Sequence, residues 1–183
     1  LSDLLVFGKR AGEYAALFAK ENRLGNPDPE HIKSVIAESL RPFERSEGET
    51  PFQVQYDLQE MMQDLVGIVR NEAEMTRARE ELKKLRERSL QVKVVGHREY
   101  NGGWHTALDL QNLLTVSEAI ALSALHRKES RGAHFREDYP AKDEANSRFN
   151  TIVRKGADGQ MEMQQAPLAE IRTDLKQIIE ELK

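Results

Sequence analysis

Four basic residues, three acids and two histidines crowd the segment from His126 to Pro140, HRKESRGAHFREDYP. Arg131 and Arg136 carry planar guanidinium forks that suit bidentate pairing with a carboxylate, either within the chain or across an interface. Arg127 and Lys128 are equally placed to answer the negative end of a preceding helix, with Gly132 near its C-terminal cap. His126 and His134 lack a third ligand at metal-binding spacing, so a metal centre is disfavoured. A nucleic-acid surface would want interleaved aromatics and fewer acids. The balance favours an ordered docking loop over a solvated one. A second polar group, His97 and His105 around Asn101-Gly102-Gly103, flanks the single Trp104. Here a helix–helix connection in which Trp104 covers the end of a core is favoured over a binding pocket.

Other chemistry is missing. No Gly-rich dinucleotide fingerprint, phosphate loop, nucleophile elbow or His-Glu-x-x-His occurs in the sequence. Cysteine is absent, which excludes disulfides, thiolate nucleophiles and Cys-ligated zinc or iron–sulfur clusters. A formal net charge of −4 gives no reason to expect nucleic acid as a partner. No apolar run approaches the roughly 20 residues that cross a bilayer. The chain opens on Leu1 without Met, directly in an apolar helical pattern, and reads as an excised part of a longer polypeptide. By itself it is expected to be inactive.

The elements that must position the polar segment follow from apolar spacing. Ser2 and Asp3 are placed to cap a first helix, LSDLLVFGKRAGEYAALFAKE, in which Gly8 and Gly12 stand four apart and admit a close neighbour. Spacing alone favours an ordinary buried helix there. A turn-rich linker leads to a short amphipathic helix from Glu30 to Leu40. Thr50 caps the next helix, with Pro51 at its first position and a seam of Val54, Leu58, Met61, Leu65 and Ile68. Met75, Ala78, Leu82, Leu85, Ser89 and Val92 repeat the pattern among solvated charges. Thr106 is expected to cap a third seam from Leu110 to Leu125. Three seams joined by short breaks predict a mostly α protein, an antiparallel three-helix bundle of spectrin-repeat type. Beyond Ser130 periodicity stops. NTIVRKGADGQMEMQQ reads as a hairpin around Asp158-Gly159, and Pro167 is expected to open a last helix bearing Leu168, Ile171, Leu175, Ile178, Ile179 and Leu182.

RKESRGAHFREDYP closely resembles a signature of the flavoprotein subunits of succinate dehydrogenases and fumarate reductases. LSDLLVFGKRAGEYAA resembles the helix that follows the Arg-Leu-Gly-x-Asn-Ser motif near the flavin in that family. The helical region between them matches the family's C-terminal domain in order and spacing. The resemblance implies residues 1–25 as the terminal helix of an FAD-binding domain, 26–130 as the three-helix bundle, and 131–183 as signature loop, hairpin and C-terminal helix.

The resemblance implies FAD-dependent interconversion of succinate and fumarate in the intact subunit, with electrons passed to an iron–sulfur subunit and then to quinone through a membrane anchor. It places the protein in the cytoplasm, peripheral to the inner face of the cell membrane. The family's catalytic residues would all precede Leu1, so none is carried here. Leu1 and Ser2 match the end of the motif whose backbone contacts FAD. Arg131, Gly132, His134, Arg136 and Asp138 match the C-terminal signature, which is expected to dock the helical domain against the flavin domain or the iron–sulfur partner. Two rivals are the C-terminal domain of L-aspartate oxidase, which usually has Leu where Ala133 stands, and a free-standing helical interaction module.

Overall fold

A computed structural model describes residues 1–181. The chain divides after Leu40 into two units. The first contains α1 (Ser2–Glu21) and most of α2 (Pro29–Glu44). The second contains α3 (Pro51–Leu65), β1 (Val69–Arg70), α4 (Glu72–Ser89), α5 (Gly102–His126), β2 (Phe135–Arg136), β3 (Phe149–Lys155), β4 (Met161–Pro167) and α6 (Thr173–Glu181).

α1 buries none of its residues, contrary to the reading of an ordinary buried helix. A Cβ added at Gly8 or Gly12 would meet nothing within 4 Å. Ser2 and Asp3 do not cap it: Leu1 is the N-cap residue and makes no side-chain bond. Both polar residues instead occupy its first turn, where Asp3 still suits the positive end of the helix dipole.

α3, α4 and α5 pack pairwise around one core. Arg88 of α4 pairs with Asp57 of α3. Along α4 and α5, Ser89 meets Gln111 while Arg86 meets Glu118, so these two helices run in opposite directions. The bundle is therefore up-down-up, as the seams predict. Val54 and Leu58 from α3, Leu82 and Leu85 from α4, and Leu110 and Leu114 from α5 form its centre, closed by Val92 and Val94. Each buried side chain of this size contributes roughly 1.5–3 kcal/mol by leaving water. Trp104 packs at the edge of that core, edge-on to Phe43 with ring centroids 5.5 Å apart. This is the connection-covering role favoured from the sequence.

Helix ends differ from expectation: α2 runs on to Glu44 rather than ending at Leu40, α4 stops at Ser89 short of Val92, and three further ends depart as well. α3 begins as foreseen, with the Thr50 hydroxyl accepting from Gln53 N at 3.3 Å and Pro51 following. It stops at Leu65, so Ile68 falls outside the seam and is exposed. α5 starts one turn earlier than predicted: Asn101 Oδ1 accepts from Trp104 N at 3.0 Å, while Thr106 Oγ1 bonds back to Gly102 O inside the helix. A side chain that can take an extended conformation before the first turn is the better cap, and Asn101 takes it from Thr106. At the C-terminal end, Pro167 finishes β4 and the last helix begins at Thr173. Pro167 faces away from the hairpin ladder, so its missing N–H costs no bond. Leu182 lies outside the described residues. The hairpin is as predicted, with Gly159 in the left-handed region at φ +81.

Candidate functional site

The bundle exposes one end where α3 stops, α4 starts and α5 stops. Each end leaves main-chain groups without helical partners, and the His126–Pro140 segment supplies partners for α4 and α5 while Arg70 of β1 supplies them for α3. Arg136, whose side chain is 0% exposed, sends Nη1 to the carbonyls of Ala124 and Leu125 at 3.1 and 3.2 Å, the last turn of α5. Its Nε and Nη2 form a bidentate pair with Asp138, both at 2.7 Å. Its guanidinium lies 4.9 Å from the Tyr139 ring centroid. Asp138 Oδ2 in turn accepts from Glu72 N at 2.9 Å, the first turn of α4. One Arg–Asp pair thus ties the negative end of α5 to the positive end of α4. The paired guanidinium holds the Asp138 carboxyl down to about 2, with the Glu72 amide adding to the effect.

A short parallel ladder brings this loop to the bundle: Val69 lies opposite Phe135 and Arg70 opposite Arg136. No sequence pattern announces such a pairing, since each strand is two residues long. It places Arg70 beside His134. Arg70 Nε donates to Val66 O and Gly67 O at 3.2 and 2.7 Å, satisfying the end of α3, and Nη1 reaches His134 Nδ1 at 3.0 Å. A guanidinium can only donate, so Nδ1 accepts. The other ring nitrogen, Nε2, then carries the proton and donates to Arg127 O at 3.1 Å. Burial, helped by the positive charges of Arg70, Arg136 and Arg127, pushes the His134 imidazole below its ordinary pKa. It is neutral and fixed in one tautomer.

Glu129 is the second centre, with a side chain 0% exposed. Its carboxylate accepts from Arg131 Nε at 3.1 Å, from Arg127 Nη1 at 2.6 Å and from the Asp143 amide at 2.9 Å. These bonds, that to Arg131 first, lower it to about 2. Ser130 closes the loop: its Oγ accepts from Arg136 N at 2.8 Å and donates to Tyr139 O at 2.9 Å. Gly132 turns the chain at φ +59 between Arg131 and His134, which bridge to one another. It belongs to this turn and is not the helix cap, because α5 has ended at His126 with Arg127 as its C-cap.

The structure brings Arg131, Gly132, His134, Arg136 and Asp138 into one network; Leu1 and Ser2 belong to the other unit. Glu129, Arg70 and Glu72 complete the network, together with Asn71, whose Nδ2 donates to Glu137 Oε1 at 2.6 Å; none of the four was singled out from sequence. Glu129 had a readable signal, a lone acid among Arg127, Lys128 and Arg131. Arg70 and Glu72 lie more than fifty residues away in sequence and had none.

The family model described as "Fumarate reductase flavoprotein C-term" matches residues 55–178. The chain is 34% identical over 177 residues to the fumarate reductase flavoprotein subunit of Mycobacterium tuberculosis, covering 92% of this chain and 30% of that protein. It is 37% identical over 156 residues to the succinate dehydrogenase flavoprotein subunit of Coxiella burnetii, covering 83% and 26%. Among solved structures, the Mycobacterium smegmatis Sdh1 complex with UQ1 superposes with a TM-score of 0.88 at 38% identity, over 98% of this chain and 31% of that one. This chain belongs to the family of fumarate reductase and succinate dehydrogenase flavoprotein C-terminal domains. It spans about a third or less of the length of the relatives it matches.

Proposed function

We propose that the chain acts as the C-terminal brace of an FAD-dependent oxidoreductase subunit that interconverts succinate and fumarate. The supporting observation is the match of bundle and signature loop, residues 55–178, to that family. The names of the similar subunits favour this reading over L-aspartate oxidase and over an independent interaction module.

In this reading FAD, the substrate site and the catalytic residues belong to the polypeptide preceding Leu1. The residues of this chain do not suit FAD by themselves. Its two sheets are two-stranded, among the described residues, and neither forms a strand–helix–strand nucleotide cradle. Leu1 and Ser2 would at most add main-chain contacts at the start of α1, which we assign to the flavin domain. The apolar residues α1 exposes, among them Leu4, Phe7 and Phe18, would be covered there. The role of Arg131, Gly132, His134, Arg136 and Asp138 is to hold the bundle end in one shape so that its outer surface docks. The partners are the flavin domain, an iron–sulfur subunit and, through it, a membrane anchor on the cytoplasmic side. No helix among the described residues is long and apolar enough to cross a membrane, so attachment would come through those partners.

The test compares the intact subunit with the 183-residue chain. The intact subunit should carry flavin absorbance and reduce a dye with succinate. The chain alone should do neither. Flavin binding or succinate-dependent reduction by the chain alone overturns the reading.

A further inference from the structure

The hairpin has an unused edge. Leu168 N donates to Arg148 O at 2.9 Å and Gly156 N to Gln160 O at 2.7 Å, and Phe149 stands opposite Pro167. In an antiparallel ladder these bonds fix the parity: even-numbered residues of β3 bond to β4, and the odd ones turn their N–H and C=O outward. Two details agree. Pro167, which has no N–H, occupies an outward position, and the outward carbonyl of Phe149 accepts from Arg127 Nη2 at 3.2 Å. Beyond it, the main chains of Thr151 and Val153 face away from β4 and meet no other main-chain group among the described residues.

An open groove of about 510 Å³ lies at Thr151, bounded by Val116 and Ile120 of α5 and by Arg70, Arg127 and His134. Three features of it are unsatisfied. The Thr151 hydroxyl is buried without a hydrogen-bond partner. Val116 and Ile120 are 58% and 43% exposed. Arg70 has no carboxylate within ion-pair distance among the described residues. A two-stranded hairpin is marginal on its own, and an exposed edge is a ready template for another strand.

We infer that the groove between β3 and α5 receives an extended segment that adds to the Thr151–Val153 edge as a third strand, with an apolar side chain on Val116 and Ile120 and a carboxylate on Arg70. Charge complementarity sets the acidic character. The roughly 12 Å of helix from Val116 to Ala124, taken at about 1.5 Å per helical residue, accommodates about four extended residues. Resting on the proposed function, the segment comes from the flavin-domain part of the same polypeptide. The matched relatives have about 70% of their length outside the region this chain covers, taking 30% as covered. A tethered segment is also present at high effective concentration.

Hydrogen exchange at the Thr151 and Val153 amides tests this in the intact subunit and in the 183-residue chain. Both amides should exchange at least about a hundredfold slower in the intact subunit. Val153→Pro removes an outward N–H and spares the ladder, so in the intact subunit it should abolish protection at Thr151 while Ile152 and Arg154 stay protected. Arg70→Gln should reduce that protection more than Arg70→Lys. Equal rates in the two forms overturn the inference. So does slowing that appears only on adding the iron–sulfur subunit, or that rises with concentration of the chain alone. FAD content and dye reduction measured on the same sample separate the two readings. An active subunit with an unprotected edge overturns strand addition alone, whereas a flavin-free, inactive subunit with a protected edge overturns the proposed function alone.

Discussion

Glu129 combines complete burial with charge, and among the described residues its carboxylate is held by Arg127, Arg131 and the Asp143 amide. Removing one member of such a set leaves the others unanswered in a poorly hydrated site. Glu129→Gln should therefore lower stability by about 3 kcal/mol in urea titration; a change within experimental error would show that water reaches this carboxylate. Glu129 and Asp138 both sit at about 2 when folded, below their values in an unfolded chain. Their contribution is complete above the ordinary carboxylate range and is lost as pH falls through it toward 2. Acid unfolding should follow that window, and Asp138→Asn should flatten it. His134 adds an earlier step. Its folded pKa is lowered, so its contribution is complete above the ordinary imidazole value and declines on acidification below it. Nitrogen chemical shifts should find Nε2 protonated and Nδ1 bare at neutral pH; a protonated Nδ1 would contradict the Arg70 contact.

At the scale of the element, caps and seams make opposite claims on the same residues. Asn101 bonds Trp104 N, while Thr106 bonds within a helix already formed. Asn101→Ala should cost about 1 kcal/mol and Thr106→Ala clearly less, measured as paired shifts in the thermal midpoint. Equal costs would mean that α5 starts later in solution. Leu110 and Leu114 are both fully buried at the centre of the bundle. Either one changed to Ala should cost about 2–5 kcal/mol, the spread reflecting how far the cavity collapses. The signature loop serves these elements more than it serves itself. Arg70 satisfies the end of α3, Arg136 the end of α5, and Asp138 the start of α4. Two helices, α5 and α4, are thereby held at one end by side chains from a segment with little regular structure, and α3 by Arg70 of the strand that directly follows it.

At the scale of the molecule, the apolar periodicity of three segments was sufficient to predict the bundle, because a helix buries one stripe and the stripe is written locally every three or four residues. Val54, Leu58, Leu82, Leu85, Leu110 and Leu114 follow from that rule alone. The Asp158-Gly159 turn is likewise local, and the letters of RKESRGAHFREDYP carried the family. Tertiary structure decided the rest. Whether Arg136 meets a partner inside the chain or outside depends on where Asp138, Glu72 and the end of α5 come to lie, and no spacing encodes that. The pairing of Val69-Arg70 with Phe135-Arg136 joins residues far apart through strands too short to leave a pattern. The tautomer of His134 follows only from Arg70 arriving beside it. Local interactions repeat along a chain and can be read from it; the unions of distant polar groups that shape this loop exist only after the chain has closed on itself.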